Sequence, residues 1–230
     1  MPRRKILVLA PHTDDEMLGC GGTLLKVREA DCADVMVAVM SCGARYLSHL
    51  GNEVSESEQL QEFLLCAPHI SSAPARWYEC GHRLEEEPMY KVVRWLDQLL
   101  RDFAPTTLLI PEPSYHQEHQ MVYRAAIAAC RPTYGRPTIE DIYLYEIPTG
   151  TWSGADGLFR PNVYVDIGEH LEEKIALFRS IYKAQYTESS REMLGERGIR
   201  SHAQYRAAEV GQEYSEAFML LRSSRREGAI

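Results

Sequence analysis

A chain of 230 residues with 45% hydrophobic content can bury a full core in one domain of ordinary size. Its 25 basic and 33 acidic side chains leave a net charge of -8, spread along the chain, which disfavours nucleic acid or an anionic membrane as a partner. Six cysteines without paired short spacing argue for reduced thiols, and the apolar run from Ile6 stops at Pro11, too short for a signal peptide or membrane span, so a cytoplasmic protein is expected.

In chain order, Ile6 to Ala10 reads as a short buried strand, followed by a polar loop and a helix from Thr23 to Ala30. Asp34 to Met40 is a second buried strand that closes a right-handed βαβ unit. Ser55 to Ala67 has helical composition, Arg76 to Tyr78 is a weak strand, and Val92, Val93, Leu96, Leu99 and Leu100 mark one face of a helix over 89–103. A strand over Thr106 to Ile110 and a helix over Gln117 to Ala129 follow, then strands at Ile142 to Tyr145 and Asn162 to Ile167 and a long helix from Leu171 to Tyr186. The alternation predicts a Rossmann-like α/β three-layer sandwich with a mostly parallel sheet, one catalytic domain over 1–221 and a flexible tail over 222–230.

Ligands of open α/β sheets bind in the loops that follow the carboxyl ends of the strands. The loop after the first strand holds His12, Asp14, Asp15 and Glu16, and the loop after the strand ending at Ile110 holds His116, Glu118 and His119. Three adjacent carboxylates in a cleft repel one another and lose hydration unless a cation or donors offset the cost. Two histidines and a carboxylate around an open position form a common catalytic zinc arrangement. Singly, each motif also fits a hydrogen-bonded surface histidine or a helix-capping aspartate pair; their joint placement after two parallel strands favours chemistry. A dinucleotide loop is disfavoured, because Leu24 stands where the third glycine is needed and carboxylates would crowd the phosphate. No nucleophile-elbow serine motif is present either.

His12, Thr13, Asp14, Asp15 and Glu16 with Gly19 to Thr23, and His116, Gln117, Glu118 and His119, resemble the two motifs of the PIG-L/LmbE-like zinc-dependent N-deacetylases. Val165 to Ile167, Lys174, Tyr182 to Gln185 and Gly211 to Phe218 are similar to further family segments. The resemblance implies one zinc ion per chain on His12, Asp15 and His119, with Asp14 as general base. It implies protonated His116 at the oxyanion or leaving group, Glu16 and Glu118 behind these residues with Glu118 orienting His116, and either Asp14 or His116 as proton donor to the amine. The implied reaction is removal of an N-acyl group from an aminosugar-containing small molecule or glycoside. Rival readings are another metallohydrolase and a silent sugar-binding relative, and a homo-oligomer is compatible with the sequence.

The chain departs from the family pattern at Glu118, where Asp is usual, at Thr13, where Pro is common, at Ser55, where Arg is frequent, and at Cys80 and Gly81, where Asp-Gly is frequent. Arg45 and Tyr115, in strand-end loops, are candidate substrate contacts in place of the altered segments. His82 is a candidate for the pocket rim, while His49, His69, His170 and His202 read as surface or capping residues and Cys20 and Cys42 as buried fillers. The cationic stretch Arg191 to Arg206 is either a lid over an anionic part of the substrate or a solvated loop.

Overall fold

A computed structural model describes residues 3–41, 43–47, 51–80, 83–132, 139–153, 159–186 and 193–224; the side chains of 45, 47, 52 and 151–153 lie outside that description. The chain runs β1 (Arg4–Ala10), α1 (Asp15–Glu29), β2 (Ala33–Val39), β3 (Arg45–Leu47), β4 (Asn52–Val54), α2 (Glu56–Ile70), β5 (Arg76–Trp77) and α3 (Met89–Phe103). It continues with β6 (Thr107–Pro111), α4 (Gln117–Ala129), β7 (Asp141–Tyr145), β8 (Val163–Asp166), α5 (Leu171–Ile181), α6 (Glu196–Ala208) and β9 (Ser215–Ser223).

The main sheet has the order β5-β2-β1-β6-β7-β9-β8. β5, β2, β1, β6 and β7 are parallel, and β9 enters antiparallel between β7 and β8. Period-2 alternation along β1 sends Val8 and Ala10 into a core with α1, α2, α5 and α6, and Leu7 and Leu9 into a second core with α3 and α4. Helices therefore cover both faces, as the α/β pattern required. Among the described residues, no helix is long and apolar enough to cross a membrane.

Several elements differ from the sequence reading. α1 begins at Asp15 rather than Thr23, because the charged Asp15 in its first turn complements the positive end of the helix dipole. β3 and β4 form a small antiparallel hairpin of their own, stabilised by pairing that short polar segments do not announce. The cationic stretch expected as a lid or loop forms helix α6 from Glu196 onward, and Arg191 lies outside the described residues. There Arg200 pairs with Glu172 and Glu196, and Arg206 with Glu146 and Glu209, so two of the expected free cations are neutralised within the fold. β9 extends to Ser223, so residues 222 and 223 belong to the sheet rather than to a tail.

Ser55 is the N-cap of α2: its hydroxyl accepts from the Glu58 amide while the Glu58 carboxylate takes the Ser55 amide, a reciprocal capping box. Ser55, which departs from the family pattern, therefore starts a helix in this chain.

Candidate metal centre

The parallel strands deliver the two motif loops to one edge of the sheet. β1 ends at Ala10, and the loop beyond it is tied to the end of β2 by Met40 N–H to Ala10 O (2.8 Å) and Ser41 N–H to Pro11 O (2.9 Å). β6 pairs directly with β1, so the turn before α4 arrives beside the same edge. His12, Asp15 and His119 are buried there, at 3%, 4% and 7% exposure.

Their polar atoms form a small triangle. His12 Nδ1 lies 3.1 Å from Asp15 Oδ2, and His119 Nε2 lies 3.4 Å from each of those two atoms. Ligand atoms at zinc's usual bond lengths in a tetrahedral shell stand about 3.3 Å apart. The donor set therefore fits a small divalent ion in size and in chemistry, with two imidazoles and one carboxylate. Each imidazole is held by its other nitrogen, and the Glu118 carboxylate requires His12 Nε2 to carry the proton. His12 Nε2 sits 2.6 Å from Glu118 Oε2, and His119 Nδ1 sits 3.1 Å from Ser114 Oγ.

A second grouping competes for a metal: one ring nitrogen from each of His12, His116 and His119 lie within 4.8 Å of one another among the described residues. The triangle through Asp15 is tighter. His116 is also engaged elsewhere, since its Nδ1 accepts the Glu118 amide at 3.3 Å and caps α4. That bond leaves Nε2 as the protonated nitrogen of the neutral ring. The His116 ring stands edge-on to His12, with centroids 4.7 Å apart.

The electrostatics follow from burial and neighbours. Burial would raise the Asp15 carboxyl, and the adjacent His119 and His12 overcome it and hold the group well below the usual range. Among the described residues no cation offsets Glu16; burial pushes it up to about 8, against the hydrogen bond that Tyr182 O–H donates to Oε1. Its other oxygen accepts the Asp14 amide at 3.1 Å, so Glu16 braces the turn that presents Asp14. Asp14 is itself buried and takes φ 144° and ψ −29°, a region L-residues rarely enter, while its carbonyl accepts the Met17 and Leu18 amides.

Two expected roles are corrected. Glu118 does not orient His116 through its carboxylate: that group reaches past it to His12, and its other oxygen accepts from Ser41 Oγ (3.0 Å) and the Leu84 amide (2.9 Å). The extra methylene relative to aspartate supplies the reach. Burial would raise the Glu118 carboxyl too, but the His12 contact and these donors keep it well below the usual range. His116 is neutral rather than protonated near pH 7, because burial and the neighbouring His12 and His119 push it down to about 4.

The remaining candidates separate. Tyr115 is half exposed beside the site, its ring 6.2 Å from that of His116. Arg45 lies in β3, with its side chain outside the described residues, as are His49, His82, Cys42 and Gly81. His170 stands at the N-cap position of α5 and is buried against Glu29 (2.7 Å), so of the two expected roles the position is the capping one and not the surface one. His202 is partly buried, with Nε2 3.2 Å from Glu146. Cys20 is fully buried on α1, as a filler should be.

Sequence reasoning gave no role to Ser41 and Ser114, although each stands just past the end of a parallel strand, the position where ligand-supporting groups collect. It likewise passed over Glu112, which follows β6, and Glu146, which follows β7 on the same edge. Burial pushes the Glu112 carboxyl up to about 7, with Glu146 adding to the shift and Arg206 opposing it.

Fold and site together define an open α/β protein with a buried histidine–carboxylate group able to hold a metal at the strand-end edge. Residues 7–130, more than half of the chain, match the PIG-L family, described as GlcNAc-PI de-N-acetylase, and the protein belongs to that family. Among curated proteins it is similar to the uncharacterized deacetylase YaiS of Escherichia coli strain K12, 27% identical over 175 residues, covering 73% of this chain and 84% of the relative. Its fold is similar to that of N,N'-diacetylchitobiose deacetylase from Pyrococcus horikoshii, with a TM-score of 0.75, 22% identity and coverage of 95% and 84% of the two chains. It is also similar to GalB, the 4-carboxy-2-hydroxymuconate hydratase of Pseudomonas putida KT2440, with a TM-score of 0.72, 17% identity and coverage of 99% and 100%. One fold thus carries different chemistries, and what a member does is set by its site.

Proposed function

We propose that the protein is a zinc-dependent hydrolase that removes an N-acetyl group from an aminosugar-containing small molecule in the cytoplasm. The observation that carries this reading is the buried triangle of His12 Nδ1, Asp15 Oδ2 and His119 Nε2 in a member of the PIG-L family, with Asp14 on the same turn. A zinc ion held by these three residues would act as a Lewis acid, lowering the pKa of water to about 7 and polarising a carbonyl.

The chain's own groups do the rest. Asp14 immediately precedes the ligand-bearing residue Asp15 and is withdrawn from solvent, which suits it to accept the proton of the attacking water. As oxygen bonds to the amide carbon, the neutral His116 ring donates from Nε2 toward the oxygen that gains charge, a contribution of about 3–4 kcal/mol by analogy with one oxyanion donor. Asp14 then returns its proton to the nitrogen as the carbon–nitrogen bond breaks. Neutral His116 favours this assignment, since the ring holds no surplus proton at pH 7.

The substrate class rests on the family and on relatives named for acetylated sugars. Acetate release from a panel of N-acetylated aminosugars and glycosides tests it, with wild type compared with Asp14→Asn. At least one member should be hydrolysed, and the variant should lose about 10²–10⁴-fold in rate. Full activity in the variant, or no acetate from any member, overturns the reading.

A further inference from the structure

Lys174 on α5 and Glu216 on β9 form an ion pair that is 3% and 5% exposed, with Nζ 2.7 Å from Oε1. Both side chains meet the backbone of α1 in its middle. Lys174 Nζ donates to the Leu18 carbonyl at 2.8 Å, and Glu216 accepts the amides of Gly22 (2.8 Å) and Thr23 (2.7 Å). The Gly22 amide and the Leu18 carbonyl stand one helical step of four residues apart. Each also meets a buried charge, so the ion pair bridges that step from the side.

The sequence makes room for this. A Cβ at Gly22 would stand 2.9 Å from Ile167, so the helix lies against the end of β8 too closely for a side chain. The carboxylate of β9 reaches the helix backbone at the same place.

Leu18 transmits the contact to the site. Its carbonyl takes the Lys174 ammonium, and its amide donates to the carbonyl of Asp14 at 2.9 Å. One residue therefore links the ion pair to the turn that carries Asp14 and Asp15, and that turn is held in the unusual backbone conformation of Asp14. A buried ion pair is a poor source of stability, because apolar residues of similar volume often replace it without loss. Holding one geometry is the use that remains.

We infer that Lys174 and Glu216 are positioning residues which set the height and rotation of the first turn of α1, and so place Asp15 against His12 and His119. The inference rests on the proposed zinc site, and its test separates the two. Zinc affinity is measured by chelator competition on metal-free wild type, Lys174→Met and the double variant Lys174→Met/Glu216→Leu, alongside urea unfolding and backbone hydrogen exchange.

The double variant is expected to regain part of the unfolding midpoint that Lys174→Met loses, because no unpaired buried carboxylate remains, yet to bind zinc about 10–100-fold more weakly than wild type, the range seen when supporting partners of ligands are removed. In the metal-free double variant the amides of Met17 and Leu18 should exchange about tenfold faster while those of Leu108 and Leu109 on β6 do not change. Wild-type zinc affinity in a folded double variant overturns the inference and leaves the zinc site standing. If wild type binds no zinc, the proposed function fails, and unchanged exchange at Met17 and Leu18 then overturns the positioning role separately. Should the double variant not fold, Glu216→Gln, which keeps the side chain's shape, carries the same zinc and exchange measurements with the same two outcomes.

Discussion

Replacing Glu118 by Gln keeps the side chain's size and removes its charge. The native carboxylate accepts from His12 Nε2 at 2.6 Å, Ser41 Oγ at 3.0 Å and the Leu84 amide at 2.9 Å, all buried. Glutamine can still present its carbonyl oxygen to Ser41 and Leu84, but its amide nitrogen then confronts the N–H of His12. A hydrogen bond to a charged group contributes about 1.5–3 kcal/mol, so losing this one should weaken zinc binding by about 10–100-fold. Glu118→Asp retains the charge and loses a methylene of reach, so it cannot hold His12 while keeping both other donors; its zinc affinity should fall between those of wild type and Glu118→Gln. Chelator competition on metal-free protein gives the affinities, and circular dichroism shows that each variant is folded. Wild-type zinc affinity in Glu118→Gln would refute the argument that this carboxylate fixes the tautomer of a metal ligand.

Asp14→Gly should leave the metal-free protein more stable than Asp14→Ala by about 1 kcal/mol: strain at such a backbone conformation costs about 1–3 kcal/mol, and glycine's extra chain entropy returns about 0.5–1 of it. Urea unfolding checks this, and an alanine variant equal to or more stable than the glycine one contradicts it. Gly198→Ala should destabilise α6 by about 1–3 kcal/mol, because the added Cβ would stand 2.5 Å from the Met193 backbone; an unchanged unfolding midpoint would count against that packing. Glu112 carries a folded-state pKa of about 7 against an ordinary value of 4.5, so the folded protein holds its proton more tightly than the unfolded chain does. That contribution is complete below pH 4.5 and is lost as pH rises through 7, on the order of 3 kcal/mol, and Glu112→Gln should remove this part of the slope. Parallel stability curves for the two proteins between pH 4 and 8 would show that the half-buried Glu112 carboxyl is not held protonated by the fold.

The parallel strands β1, β2 and β6 were legible because their residues are apolar on both faces, a pattern that only a doubly covered sheet needs. The site was legible for a related reason: the loops that follow β1 and β6 concentrate charges that no core could accept. What stayed hidden depends on partners distant in sequence. β9 reads poorly as a strand because its first residues serve other elements, with Glu216 committed to α1 and Lys174. α6 reads as a solvated cationic stretch until Glu172 and Glu146, far away in the chain, arrive to pair with Arg200 and Arg206. The choice of Glu118 for His12 over its sequence neighbour His116 was equally out of reach, because it depends on how α4 enters beside β1.

The most direct test of the metal centre is a zinc-soaked crystal with anomalous data collected on both sides of the zinc edge. The expected result is one peak per chain, bonded by His12 Nδ1, Asp15 Oδ2 and His119 Nε2, with Glu118 retained on His12 Nε2. A peak bonded by His116 together with His12 and His119, with Asp15 turned away, or no peak at full soaking, would contradict it.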